Sequence, residues 1–219
     1  MKKVSQNTPE IPIYFASGFS HPNWRIITQD ESIESMQWGL IPSWFNGEDP
    51  TEISNVTLNS RIETAQEKAS FKHLFNRQNC IVPSNGFFEW KTLDSKQKIP
   101  YFIYPSKDII FSMAGLFDQW LDPKNGEIHK TFTILTGEAN ALMREIHNSK
   151  KRMPILLLPD QENEWLTGKL NTENLLTPAP DRIMAAHEVD KHIIQGKACN
   201  SPAVQAPFHN RFYEQGSLF

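Results

Sequence analysis

Apolar residues along this chain gather into short runs closed off by Pro, Gly, Asn or Asp. "RIIT" at 25–28, "CIVPS" at 80–84, "PYFIY" at 100–104, "IIFSMAGLF" at 109–117, "TFTILT" at 131–136 and "PILLLP" at 154–159 are mostly β-branched or aromatic, and such runs read as strands. "NGFFEWK" at 85–91 reads as a further strand, in which Glu89 shares one face with Phe87 while Phe88 and Trp90 take the other. Either that face meets water, or Glu89 is an ionisable group in an apolar wall. "TLDSKQK" and "DPKNGEIHK" read as hairpin loops, so antiparallel neighbours are expected. Helical spacing is rarer. "ETAQEKASFKHLFNR" puts Phe71, Leu74 and Phe75 on one stripe, "GEANALMREIH" groups Leu142, Met143 and Ile146, and "PDQENEWL" opens with Pro159 and Asp160 as helices do. Strands outnumber helices without βαβ alternation. The pattern predicts one α+β domain: a bent, largely antiparallel sheet, barrel-like at its core, with flanking helices.

Composition narrows the class. A chain of 219 residues with 39% hydrophobic and 11% aromatic residues can bury a sizeable core, which excludes wholesale disorder. No apolar run approaches the roughly 18 residues of a membrane span, and "MKKVSQNTPEIPIYF" lacks the apolar stretch of a signal peptide. Two cysteines, Cys80 and Cys199, make neither a disulfide framework nor a metal-site spacing, which places the chain in the cytoplasm. The net charge of −3 requires any nucleic-acid surface to be a local basic patch. The end, residues 208–219, reads as a loosely held tail.

Chemistry concentrates in three polar clusters beside apolar segments. "TLNSRIETA" carries Asn59, Arg61 and Glu63, alternate residues that share a face if extended. Glu89 sits within its aromatic strand, and "EIHNSKKRMP" ends a helix at His147 and delivers Arg152 before another apolar run. If these converge, they supply an acid, a base, a positioner and an anion clamp. Taken singly, Asn59 reads equally as a turn residue, Arg61 as a surface ion-pair partner, His147 as a cation at a helix C-terminus and "SKKR" as a solvated face.

The order of these blocks resembles a known family. "WGLIPSW" at 38–44, "NSRIETA" at 59–65, "CIVPSNGFFEWK" at 80–91 and "IH…RMP" at 146–154 are similar to the signature blocks of the SOS-response-associated peptidase (SRAP) family, with weaker likeness through "HEVDKHI" near 187–193. The resemblance spans roughly residues 13 to 206 and implies abasic-site processing in DNA damage repair. Such proteins hold single-stranded DNA in a positive cleft, and a cysteine at position 2, exposed by removal of the initiator methionine, closes with the sugar aldehyde to a thiazolidine crosslink. Carried over by motif, Asn59 positions the N-terminal residue, Glu89 is the acid/base beside its amine and His147 assists sugar-ring opening. Arg61 and Arg152 clamp phosphates, and Trp44 and Phe45 wedge or stack beside the DNA. The resemblance implies no cofactor, no metal and a monomer.

The chain departs from that pattern at three places. Position 2 is Lys2, "ASGFSHP" at 16–22 stands where many members carry an Asn-x-Ala-Pro stretch, and an extra "SKK" separates His147–Asn148 from Arg152. Three explanations compete for the first: a start downstream of a true Met-Cys, a paralogue that binds single-stranded DNA without crosslinking, or Schiff-base chemistry by Lys2 or the terminal amine. The first is the expectation, with an in-frame upstream Met-Cys extension, since the family's opening strand and helix have little room before Ile13. A peptidase or other hydrolase is a further alternative, although no His-Glu-x-x-His or zinc spacing supports it.

Overall fold

The apolar runs do become strands in the computed structural model, which describes residues 12–94, 97–191 and 200–208. Lys2, Cys199 and the expected tail beyond Phe208 lie outside these residues. In chain order the elements are β1 (Asn23–Ile27), β2 (Ile33–Trp38), α1 (Pro50–Val56), β3 (Asn59–Arg61), α2 (Ile62–Ala65) and β4 (Asn79–Ser84). Then come β5 (Phe87–Thr92), β6 (Lys98–Pro105), β7 (Phe111–Leu121), β8 (Ile128–Glu138), α3 (Ala141–Ile146), β9 (Arg152–Pro154), β10 (Leu156–Leu157), α4 (Pro159–Leu166) and β11 (Met184–Glu188).

The large sheet runs β10-β7-β4-β1-β2-β8-β3, with β9 added on β8. A further pairing of β7 with β8 closes the strands into a ring. Most pairs are antiparallel, as the two hairpin loops predict for β5–β6 and β7–β8, but β2 and β3 both run parallel to β8. A smaller sheet, β11-β6-β5, packs beside it. The α+β expectation is borne out.

Both faces of the large sheet are buried, which explains why its strands read as unbroken apolar runs. Alternation along β8 sends Phe132 and Ile134 to one core and Leu135 to the other. Along β4, Cys80 and Val82 face the first core while Ile81 faces the second. The first core includes Met143 and Ile146 of α3, and the second includes Trp165 of α4.

Two expected elements change shape. The helix expected over 63–77 is only the short α2, followed by a chain of turns that left-handed Asn76 (φ 62°) helps to end. Phe71 and Leu74 are buried nonetheless, so the apolar stripe reported burial and not helix length. The strand expected at 154–159 is split into β9 and β10 at Ile155. Its N–H donates to Leu135 O and its carbonyl accepts from Ala114, both at 2.9 Å, stitching β8 to β7. No helix among the described residues is long and apolar enough to cross a membrane.

Gly86 sets the entry into β5. A Cβ there would lie 2.4 Å from the Ile103 carbonyl oxygen and 2.5 Å from the Phe102 ring, both on β6. Gly86→Ala is therefore expected to splay β5 from β6 and cost about 1–3 kcal/mol, as overpacked sites do. Denaturant unfolding measures it, and an unchanged midpoint would show that β5 accommodates the methyl group.

Candidate active site

Glu89 reaches its place because β5 alternates. Phe87 turns inward against Phe111, with ring centroids 6.0 Å apart. Glu89, two residues on and on the same face, meets the C-terminal end of α3, which packs against β5. His147 caps that helix, its N–H donating to Met143 O at 2.7 Å. The His147 Nδ1 is 3.4 Å from Glu89 Oε1, and both side chains are mostly shielded, at 15% and 22% exposed. Two groups 58 positions apart in sequence thus form one proton-handling pair.

His147 is held in one tautomer. Its Nδ1 lies 2.8 Å from the Arg152 carbonyl oxygen, which can only accept, so Nδ1 carries the hydrogen and Nε2 is left with a lone pair. Burial, the largest influence on Glu89, pushes its carboxyl above the ordinary 4.5. The His147 charge, the Trp90 N–H and the Lys150 charge pull it partly back, in that order. A carboxyl so placed holds a proton at higher pH than a solvated glutamate does, the property a general acid needs.

Arg152 stands behind the pair. It begins β9 opposite Glu138, and its guanidinium grips both Glu63 oxygens, at 2.6 and 2.9 Å, and the Thr136 carbonyl at 2.6 Å. Glu63 is held below the ordinary carboxylate range, chiefly by that hydrogen bond. The extra Ser149–Lys151 does not carry Arg152 off β8. A turn closed by Lys151 N donating to His147 O (2.7 Å), with Lys151 left-handed at φ 53°, absorbs the added length.

Asn59 and Arg61 are both exposed on β3, in register with Ile134 and Thr136 of β8. Arg61 therefore sits beside the Glu63–Arg152 bridge. Among the described residues, Asn59 is no part of the hydrogen-bonded network joining Glu89, His147, Arg152, Glu63 and Thr136. Trp44 and Phe45 lie towards the other end of β8. Ser43 N–H donates to Asp118 at 2.8 Å, Trp120 Nε1 donates to Phe45 O at 2.7 Å, and Asp118 pairs with Thr131. Thr131 and Thr136 are roughly 17 Å apart along the strand. Trp44 is half exposed, while Phe45 packs edge-on against Trp120.

Sequence reasoning missed the aromatic cavity beside Glu89's strand. It measures about 340 Å³, and Phe15, Trp24, Trp38, Phe88, Trp90 and Phe132 are among its walls. Its signal was the pair of tryptophans 24 and 38, whose indole N–H groups donate to Pro83 O (2.8 Å) and Leu58 O (2.7 Å). Such anchored rings are rigid walls. Cys80 is not available for chemistry: it is fully buried, and burial pushes its thiol far up. Among the described residues no three His, Cys, Asp or Glu side chains gather as metal ligands.

The sequence matches the family described as SOS response associated peptidase (SRAP) over residues 6–195. It is 35% identical over 205 residues to the abasic site processing protein YoqW of Bacillus subtilis, covering 86% of this chain and 88% of that one. It is 36% identical over 169 residues to the abasic site processing protein HMCES of Xenopus tropicalis, covering 68% of this chain and 49% of that one. A crystal structure of a Bacteroides thetaiotaomicron protein superposes with a TM-score of 0.83 at 39% identity, over 89% of this chain and 84% of that one.

Proposed function

Because this chain belongs to the SOS response associated peptidase family, we propose that it processes abasic sites in single-stranded DNA, by covalent capture of the ring-opened sugar. The observation that carries this reading is the shielded Glu89–His147 pair, with Nδ1 of His147 tied to a carbonyl and Nε2 free to accept. In the closed sugar, His147 assists transfer of the C1′ hydroxyl proton to the ring oxygen, opening the aldehyde. Glu89 then accepts a proton from an attacking amine and returns it to the departing water. Asn59 positions the attacking group, Arg61 and Arg152 hold phosphates, and Trp44 stacks or wedges along the strand with Phe45. The chain acts as a monomer in the cytoplasm, needs no metal or cofactor, and reaches the nucleoid only through its DNA.

Residue 2 is a lysine, Cys80 is buried, and so the nucleophile offered is an amine. An imine hydrolyses unless reduced, whereas a thiazolidine persists. Incubating the full chain with a single-stranded oligonucleotide containing one abasic site should therefore give an adduct only with borohydride, and none with an intact oligonucleotide. A reductant-independent adduct lost in Cys199→Ser would move the chemistry to a thiol. Binding without any adduct would favour the second reading, a non-crosslinking single-strand binder, to which Lys2 lends support.

A further inference from the structure

We propose that Lys150 is the amine nucleophile of this site, forming a Schiff base with the ring-opened aldehyde of an abasic deoxyribose; the proposal rests on the functional reading above. Lys150 belongs to the three added residues between Asn148 and Arg152. Those residues are not loose. Lys151 N–H closes the turn onto His147 O at 2.7 Å. Asn148 docks the turn on the end of β5: its Nδ2 donates to Thr92 O at 2.8 Å, and its Oδ1 accepts from Thr92 N–H at 3.0 Å. Lys150 is thus fixed between the end of α3 and the strand bearing Glu89, with its side chain exposed. Its charge is felt at Glu89, which places the ammonium within electrostatic reach of that carboxylate.

The reaction needs no further reagent. The Glu89 carboxylate takes a proton from the Lys150 ammonium, and the free amine adds to the C1′ aldehyde carbon, giving a carbinolamine. Glu89 returns the proton to the carbinolamine hydroxyl, which leaves as water as the C=N bond forms. Loss of a C2′ proton from that iminium then expels the 3′ phosphate, and hydrolysis frees Lys150.

Borohydride trapping of the full chain on an abasic oligonucleotide, followed by peptide mass mapping, tests this. The adduct should map to Lys150. Lys150→Arg, which keeps the charge but offers no free amine, should lower its yield by about tenfold or more. Single-strand binding by that variant should stay within about twofold, and Lys151→Arg should trap like the parent. An adduct that maps to Lys2, the terminal amine or any other lysine overturns the assignment, as does a Lys150→Arg chain that traps normally. A parent chain that binds abasic DNA but traps nothing overturns the lysine chemistry alone. A parent chain that binds no single-stranded DNA overturns the functional reading and this inference with it.

Discussion

Glu89→Gln lowers the abasic-site reaction by about two to four orders of magnitude, the usual worth of a positioned acid or base. Single-strand binding stays near the parent level, because Gln keeps the shape and the carboxyl is turned towards His147 and away from bulk solvent. The same substitution raises stability at neutral pH. Burial lifts the folded carboxyl above 4.5, so above that value the unfolded chain gives up its proton while the folded chain retains it. The parent therefore loses stability as pH rises from 4.5 through the folded value, and below 4.5 the term is fully present. Gln does not titrate, so the variant's advantage opens across that window and closes in acid. Thermal melts of both chains from pH 4 to pH 8, beside single-turnover trapping assays, read the two effects separately. Parallel melting curves together with unchanged trapping would remove Glu89 from the chemistry.

The strands were legible because each is short, β-branched and punctuated, and this local signal survives tertiary context. Glu89 was legible as a question: a carboxylate alternating with Phe87 is conspicuous in a strand that wants burial. Its answer was not, since His147 joins it through the packing of α3 on β5, a contact 58 positions long in sequence. The turn run at 66–77 misread as helix because Phe71, Leu74 and Phe75 keep helical spacing while wrapping onto the second core, where Phe75 meets Trp165. Arg152 was legible as a cation before an apolar strand. That Glu63 occupies its guanidinium could not be read from two residues 89 apart. The aromatic cavity was hidden for the same reason: Trp24, Trp38 and Phe88 come from strands of two different sheets.

That occupied guanidinium separates the two arginines in their hold on DNA. Arg61 is exposed, whereas Arg152 already shares both ends of its fork with Glu63. Arg61→Ala should cost about 1.5–3 kcal/mol of single-strand affinity, the range for a charge-assisted hydrogen bond. It should also flatten the log–log salt dependence by roughly 0.7, one released counterion's share. Arg152→Ala should flatten it less, because a phosphate must compete with a carboxylate already bound, and the bridge as a whole carries no net charge. Glu63→Gln should do the opposite and steepen the slope towards one further contact. Its cost to the fold is small, up to about 1 kcal/mol for so open a pair. Because Arg152 holds the Glu63 carboxyl below 4.5, that contribution is present at neutral pH and is lost as pH falls through the folded value. Fluorescence anisotropy of a labelled single strand, titrated at several salt concentrations, reads all three slopes. Equal slopes for Arg61→Ala and Arg152→Ala would mean that Glu63 does not mask its partner. Unchanged slopes in both would put the DNA path away from β3 and β9 altogether.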